Sequence, residues 1–155
     1  MTNRQLKAYR AFKSGYGCGS AVAMAFSDLM DMSDERVAKL TISLGGGFSR
    51  TRTLCGAVAA MGIVYGADRG KDSGDIHGDK TEAYKEVYDM TETFKSRNGS
   101  IECHQLLKDV KGLTQGYKPD VRDENYYKVR PCIKFVLDAV EILEGKLGCQ
   151  DIEEE

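Results

Sequence analysis

The chain has 155 residues, 41% of them hydrophobic and 30% charged, a composition that suits one ordinary globular domain and not a disordered or fibrous chain. Its 22 Lys and Arg against 24 Asp and Glu leave a net charge of −2, which argues against a general nucleic-acid or membrane-surface binder. Five Cys, an odd number, fit a closed disulfide framework poorly.

Helical periodicity runs along the chain, and no stretch alternates as a strand would. The spacing predicts a first helix over 4–13, a turn at Gly15-Tyr16-Gly17 and a second helix from Cys18 to about Met30. Ser33 reads as the N-cap of a helix over 34–44, whose first turn carries Asp34 and Glu35 to suit the helix dipole. Gly45-Gly46-Gly47 stops it, and Thr53 reads as the cap of a helix from Leu54 to about Gly66. Asp68 to Lys80, with Gly70, Gly74 and Gly78, reads as an exposed loop. Its four aspartates, Asp68, Asp72, Asp75 and Asp79, miss the EF-hand order at the third, sixth and twelfth positions.

A charged amphipathic helix is expected over 81–97, with Tyr84, Val87, Tyr88, Thr91 and Phe94 on its inner stripe. Asn98-Gly99 ends it, and Ser100 reads as the cap of a short helix reaching about Val110. A weakly patterned segment follows from Lys111 to Asp123. The last helix ends near Leu147, with Ile133, Val136, Leu137, Val140, Leu143 and Leu147 on one face. Pro131 either opens that helix or kinks one begun at Asp123. The expected fold is all-α, a single-domain bundle of about five to seven helices over residues 1–148, with 149–155 a solvated acidic tail. Gly56, Ala59, Ala60, Gly62 and Gly66 permit close helix contact inside the bundle or across a homodimer.

The first residues, Met1-Thr-Asn-Arg-Gln-Leu-Lys, lack the apolar stretch of a signal peptide. The longest apolar run, Ala57 to Tyr65, is too short to span a bilayer. The expected compartment is the cytoplasm, where cysteines serve as buried apolar residues, as metal or cluster ligands, or as redox thiols. The five, Cys18, Cys55, Cys103, Cys132 and Cys149, are separated by 37, 48, 29 and 17 positions, so no CxxC occurs and any joint site must be assembled by the fold. Cys18 follows Gly17, Cys55 follows Thr53 by two, Cys103 follows Ser100 by three and Cys132 follows Pro131. Four of the five are thus expected in the first turn of a helix, where free N–H groups and the dipole favour a thiolate.

These segments carry a resemblance. Phe12-Lys-Ser-Gly-Tyr-Gly-Cys18, Gly45-Gly-Gly-Phe48, Cys55-Gly-Ala-Val-Ala-Ala-Met-Gly62, Phe94 through Leu107 around Cys103, and Cys132 through Leu143 occur in the order seen in a family of four-cysteine redox-active proteins. The chain resembles that family, which is named for its C…GCAxxG…C…C pattern. The resemblance implies that Cys18, Cys55, Cys103 and Cys132 form one redox centre. It also implies an iron–sulfur option, because related domains occur joined to haem-binding segments in electron-transfer proteins. Two departures stand out: Gly17-Cys18-Gly19 replaces the usual Asn-Cys-Ala, and Ser49-Arg-Thr-Arg-Thr53 replaces a more Gly-rich loop. Cys149 has no counterpart.

Three chemistries follow from four convergent thiols. They can ligate a [2Fe–2S] or other cluster for electron transfer, with Gly56 and Gly45–Gly47 bringing N–H donors close to sulfur. They can work without metal as a thiol–disulfide redox protein or thiol sensor. They can bind zinc in an interaction domain. The partner would be a redox protein or a small thiol or electron carrier, with no nucleic acid and no membrane span. His104 is either a base beside Cys103 or an exposed polar residue. Arg50 and Arg52, in a Gly-rich loop before a helix, either take an anionic substrate or partner carboxylate or belong to a helix-joining turn. The loop lacks the GxxxxGK[ST] order of a nucleotide site.

Overall fold

In the computed structural model, which describes residues 1–154, the chain is helical apart from turns and one isolated antiparallel bridge between Leu54 and Glu102. Helix α1 (Asn3–Lys13) opens on a capping box, in which Thr2 accepts the Gln5 N–H and the Gln5 side chain accepts the Thr2 N–H. Helices α2 (Cys18–Met24) and α3 (Asp34–Thr41) follow, the latter capped by Ser33 as its sequence predicts and extended by a 3-10 turn, Ile42–Leu44. An irregular turn, α4 (Gly45–Phe48), leads to α5 (Gly56–Arg69) and α6 (Ile76–Asn98). The short α7 (Cys103–Leu106) and α8 (Glu124–Val129) precede the closing helix α9 (Cys132–Leu147). With α4 set apart, eight helices lie among the described residues, slightly more than the five to seven expected.

Helix α2 is the hub, packing on α1, α3, α5 and α9, while α6 covers α5 and α9 from outside. The reason is its side chains. Ala21, Val22 and Ala23 of α2 and Ala57, Ala60, Met61 and Val64 of α5 are fully or almost fully buried, and small residues let two backbones approach closely. Phe12, Phe26, Phe94 and Leu143 fill the space around them. No helix among the described residues is long and apolar enough to cross a membrane.

Several boundaries depart from the sequence expectation for identifiable reasons. Helix α2 ends at Met24, six residues early, and tightens into i→i+3 turns. Buried Arg4 takes the Ala25 carbonyl (2.8 Å) and forks onto Asp28 at 2.7 and 2.8 Å, so the carbonyl is drawn away from the helix ladder. The loop expected over 68–80 shrinks to 70–75. Arg69 prolongs α5, and Asp75 caps α6 by accepting the Gly78 N–H. Tyr84 and Tyr88 are not core residues: they are 65% and 66% exposed, and Met90 and Phe94 make the buried contact of α6. Pro131 is the N-cap of α9 and separates it from α8, which Asp123 caps. Asp151 accepts the Asn3 and Arg4 N–H groups, and Arg4 donates to the Gln150 carbonyl. The start of the tail is therefore fastened to α1, while Glu155 lies outside the described residues.

Candidate functional site

Each of the four family-pattern cysteines sits at a helix start. Cys18, Cys103 and Cys132 are the first residues of α2, α7 and α9, and Cys55 is the N-cap of α5. Thr53, expected as the cap of α5, instead donates its hydroxyl to the Gly47 carbonyl (2.9 Å), and Ser100, three residues before α7, accepts the N–H of Glu102, the residue that caps it. The segments between them are held by backbone hydrogen bonds, Cys55 N–H to Ile101 O (2.8 Å) and Cys103 N–H to Thr53 O (2.6 Å). Those bonds place the α5 and α7 starts side by side.

The loop between α3 and α5 concentrates backbone strain. Gly46 (φ 66°) and Gly47 (φ 61°) are left-handed, and so are Phe48, Ser49, Arg50 and Arg52, with φ of 70°, 49°, 63° and 59°. A non-glycine residue held there costs on the order of 1 kcal/mol or more, and such strain gathers where function needs a particular shape. At Gly47 the requirement is also spatial, because a Cβ would stand 2.4 Å from Cys103 Cβ.

Cys18, Cys55, Cys103 and Cys132 all line one cavity of about 470 Å³, together with Gly17, Gly45, Gly46 and Gly56. Cys18 and Cys55 are neighbours in this wall and bias each other's ionisation in opposite directions. The Cys55 thiol donates to the Cys18 sulfur, which outweighs burial, and the N–H groups of Gly19, Ala57 and Gly56 add to it, so the Cys18 thiol is lowered to about 7. Cys55 moves the other way, well above its usual range, because its proton is held by Cys18 and because it is buried. Burial raises Cys103 despite the Arg52 guanidinium 3.7 Å from its sulfur. Burial and the Cys18 charge push Cys132 up to about 12. At neutral pH Cys18 is therefore about half ionised while the other three thiols of the wall are protonated.

An N–H cradle makes Gly56 specific. A Cβ there would meet the Leu44 carbonyl oxygen at 2.5 Å and Cys18 Sγ at 2.8 Å. Only glycine lets the first turn of α5 come close enough to donate to that sulfur. The Cys55→Ala variant removes the thiol donor and leaves these N–H groups, so the Cys18 ionisation midpoint should rise from about 7 toward the ordinary thiol range. The alkylation rate of Cys18 against pH checks this, and an unchanged midpoint would mean that the backbone alone sets it.

Among the described residues, no three His, Cys, Asp or Glu side chains stand together as a set that could hold a metal ion. The tetrahedral Cys₄ site expected for zinc is thus not assembled by these four thiols as they stand. His104 is exposed, with Nδ1 3.2 Å from the Arg52 carbonyl, and it is not in the cavity wall. Cys149 lies apart, packed at the edge of the core near Arg4, and burial raises its thiol. Arg50 and Arg52 do line the cavity, joined by Asp120, Arg122 and Arg130, which the sequence did not single out. The only local hint was an alternation of Arg and Tyr between Tyr117 and Arg130.

A family model described as "Putative redox-active protein (C_GCAxxG_C_C)" matches residues 16–146. No curated protein and no solved structure matches the chain.

Proposed function

The chain belongs to this C_GCAxxG_C_C redox-active family, and we propose that its redox couple is the Cys18–Cys55 dithiol, working by thiol–disulfide exchange. The observation that carries the reading is the close approach of α5 to α2, where a Cβ on Gly56 would stand 2.8 Å from Cys18 Sγ and Cys55 shares the same cavity wall. This setting lowers the Cys18 thiol to about 7 and holds Cys55 protonated. Cys18 attacks one sulfur of a substrate disulfide and expels the other as a thiolate, forming a mixed disulfide. With Cys18 no longer anionic, the Cys55 proton is released. Cys55 then attacks the Cys18 sulfur, expelling the second substrate thiolate and leaving a Cys18–Cys55 disulfide. Two protein thiols are oxidised and one substrate disulfide is reduced to two thiols. Cys103 and Cys132, held protonated on the same wall, stay out of the first step.

A second reading is favoured by one observation, the placement of all four thiols around one cavity. A polynuclear iron–sulfur core is gripped by thiolates spaced around it, and Cys18, Cys55, Cys103 and Cys132 would be its ligands, giving one-electron transfer. Anaerobic purification followed by iron, sulfide and zinc analysis and thiol titration separates the two. The dithiol reading expects a colourless protein in which two of the five thiols are lost and regained in a disulfide buffer. Stoichiometric iron and sulfide with visible absorption would overturn it in favour of the cluster.

A further inference from the structure

The wall that holds the cysteines is electrically unlike the rest of the molecule. Four arginines line the cavity, Arg50, Arg52, Arg122 and Arg130, and among the described residues Asp120 is the one acidic residue in the wall. Asp120 stands 2.5 Å from Arg130, 3.3 Å from Arg50 and 3.9 Å from Arg52, so one carboxylate answers three guanidinium groups. Although burial opposes it, the hydrogen bonds from Thr114 and Arg130 and the nearby arginine charges hold Asp120 below the usual carboxylate range. The wall thus keeps an excess of positive charge in a chain whose net charge is −2.

The four arginines are not equally engaged. Arg50 is committed to the 114–118 segment, donating to the carbonyls of Thr114 (3.1 Å), Gly116 (2.9 Å) and Lys118. Arg122 lies against the Phe12 and Tyr126 rings at 4.8 and 4.5 Å and reaches the Phe12 and Tyr16 carbonyls at 3.4 and 3.3 Å. The Arg52 guanidinium makes one hydrogen bond among the described residues, the long one to Cys103 Sγ at 3.7 Å, besides the 3.9 Å ion pair with Asp120. Most of its five donors remain for an incoming acceptor. Phe12, Ile42, Leu106, Leu107, Tyr117 and Phe135 supply apolar wall for a carbon chain. A volume of about 470 Å³ falls in the ~300–1,000 Å³ range of small-molecule sites.

We propose that the cavity selects small anionic disulfides, Arg52 and Arg130 holding a substrate carboxylate while the S–S bond meets Cys18. Resting on the dithiol reading, it names the substrate class of the same site. Asp120 occupies the position of that carboxylate in the free protein, and the incoming anion competes with it for Arg52 and Arg130. Charge, not disulfide chemistry, then sorts the substrates.

The test uses the wild-type protein and three disulfides of similar size, 3,3′-dithiodipropionate (anionic), bis(2-hydroxyethyl) disulfide (neutral) and cystamine (cationic). The rate of Cys18 oxidation at pH 7, followed by mass as mixed disulfide plus Cys18–Cys55 disulfide, is divided by each reagent's rate with a free small thiol. The corrected rate is expected to be about 10-fold higher for the anion than for the neutral reagent, and lowest for the cation. The preference should collapse toward unity in ~1 M salt, where the screening length falls to about 3 Å. It should also collapse in Arg52→Gln but not in Arg97→Gln, since Arg97 pairs with Glu141 on the outer surface at 2.7 Å. Equal corrected rates for all three reagents in wild-type protein would overturn the anion proposal and leave the dithiol reading standing. No oxidation of Cys18 by any of them, either as a mixed disulfide or as the Cys18–Cys55 disulfide, would overturn the dithiol reading and the proposal with it.

Discussion

Replacing Cys18 by Ser is expected to slow disulfide exchange at pH 7 by at least about 100-fold. Near pH 7 about half of Cys18 is thiolate, whereas Cys132, pushed up to about 12, is ionised only about once in 10⁵. A more basic thiolate is more nucleophilic, and a Brønsted slope of ~0.45 over five units returns a factor of roughly 200. The net deficit of Cys132 in the wild-type protein is therefore about 300-fold. Loss of the Cys18 charge narrows it in the variant, and burial, the larger cause, maintains it. Burial still raises Cys103 in the variant, and it still raises Cys55 once the hold of Cys18 on its proton is gone. Cys132→Ser, by contrast, should leave the first exchange step within about twofold. The pH profile follows from the sign of the Cys18 shift. A lowered thiol is deprotonated as pH rises through about 7, so the wild-type rate should climb through that midpoint and level off above it. Rapid-quench exchange with a small disulfide, read by mass as mixed plus intramolecular disulfide, checks both variants.

Gly56→Ala is expected to damage fold and site together. Its Cβ would lie 2.5 Å from the Leu44 carbonyl oxygen, 2.8 Å from Cys18 Sγ and 3.2 Å from the Gly19 nitrogen, and two of these three are backbone atoms that cannot swing away. Overpacking of this kind costs about 1–3 kcal/mol, which for a chain of this size lowers the melting temperature by roughly 2–12 °C. As α5 is pushed back, the N–H groups of Gly56 and Ala57 withdraw from the Cys18 sulfur, and its ionisation midpoint should rise. Gly66→Ala supplies the comparison. Nothing lies within 4 Å of its Cβ position in the same helix, so that change should be neutral or stabilising by up to about 1 kcal/mol. Equal melting temperatures for the two variants would contradict the close packing of α5 on α2.

Much of the helical frame was legible in residue spacing, because caps and glycines act locally. Ser33 capping α3, Gly99 ending α6 and Pro131 opening α9 are all decided by a few neighbouring backbone groups. Where a distant partner decides, the reading missed. Arg4 cuts α2 short from 21 residues away, by claiming the Ala25 carbonyl. Thr53 looked like a cap by type and position, but its hydroxyl finds Gly47, which the left-handed turn brings back to it. Tyr84 and Tyr88 share a stripe with Phe94, yet helix α6 lies on the bundle's outside and buries only Met90 and Phe94, both in its C-terminal half.

The site followed the same rule. That Cys18, Cys55, Cys103 and Cys132 start helices could be read from Gly17, Pro131 and their neighbours, and the family pattern placed them together. The pairing could not be read. Nothing in gaps of 37, 48 and 29 positions distinguishes Cys18–Cys55 from other combinations. The choice is made in space, by the close approach of α5 to α2 that Gly56 permits. The Asp120–Arg130 side of the cavity was equally hidden, since it belongs to a segment without periodicity that Arg50 anchors across 64–68 positions.

The central claim, that Cys18 and Cys55 are the redox couple, is tested most directly by mapping the disulfide in the mildly oxidised protein. The fully reduced, metal-free chain is equilibrated with a small disulfide, its free thiols are blocked, and the digested peptides are identified by mass. The account predicts one intramolecular disulfide, joining the Cys18 and Cys55 peptides, with Cys103, Cys132 and Cys149 recovered as blocked thiols. A dominant bond between Cys103 and Cys132, or from Cys18 to either of them, would contradict it.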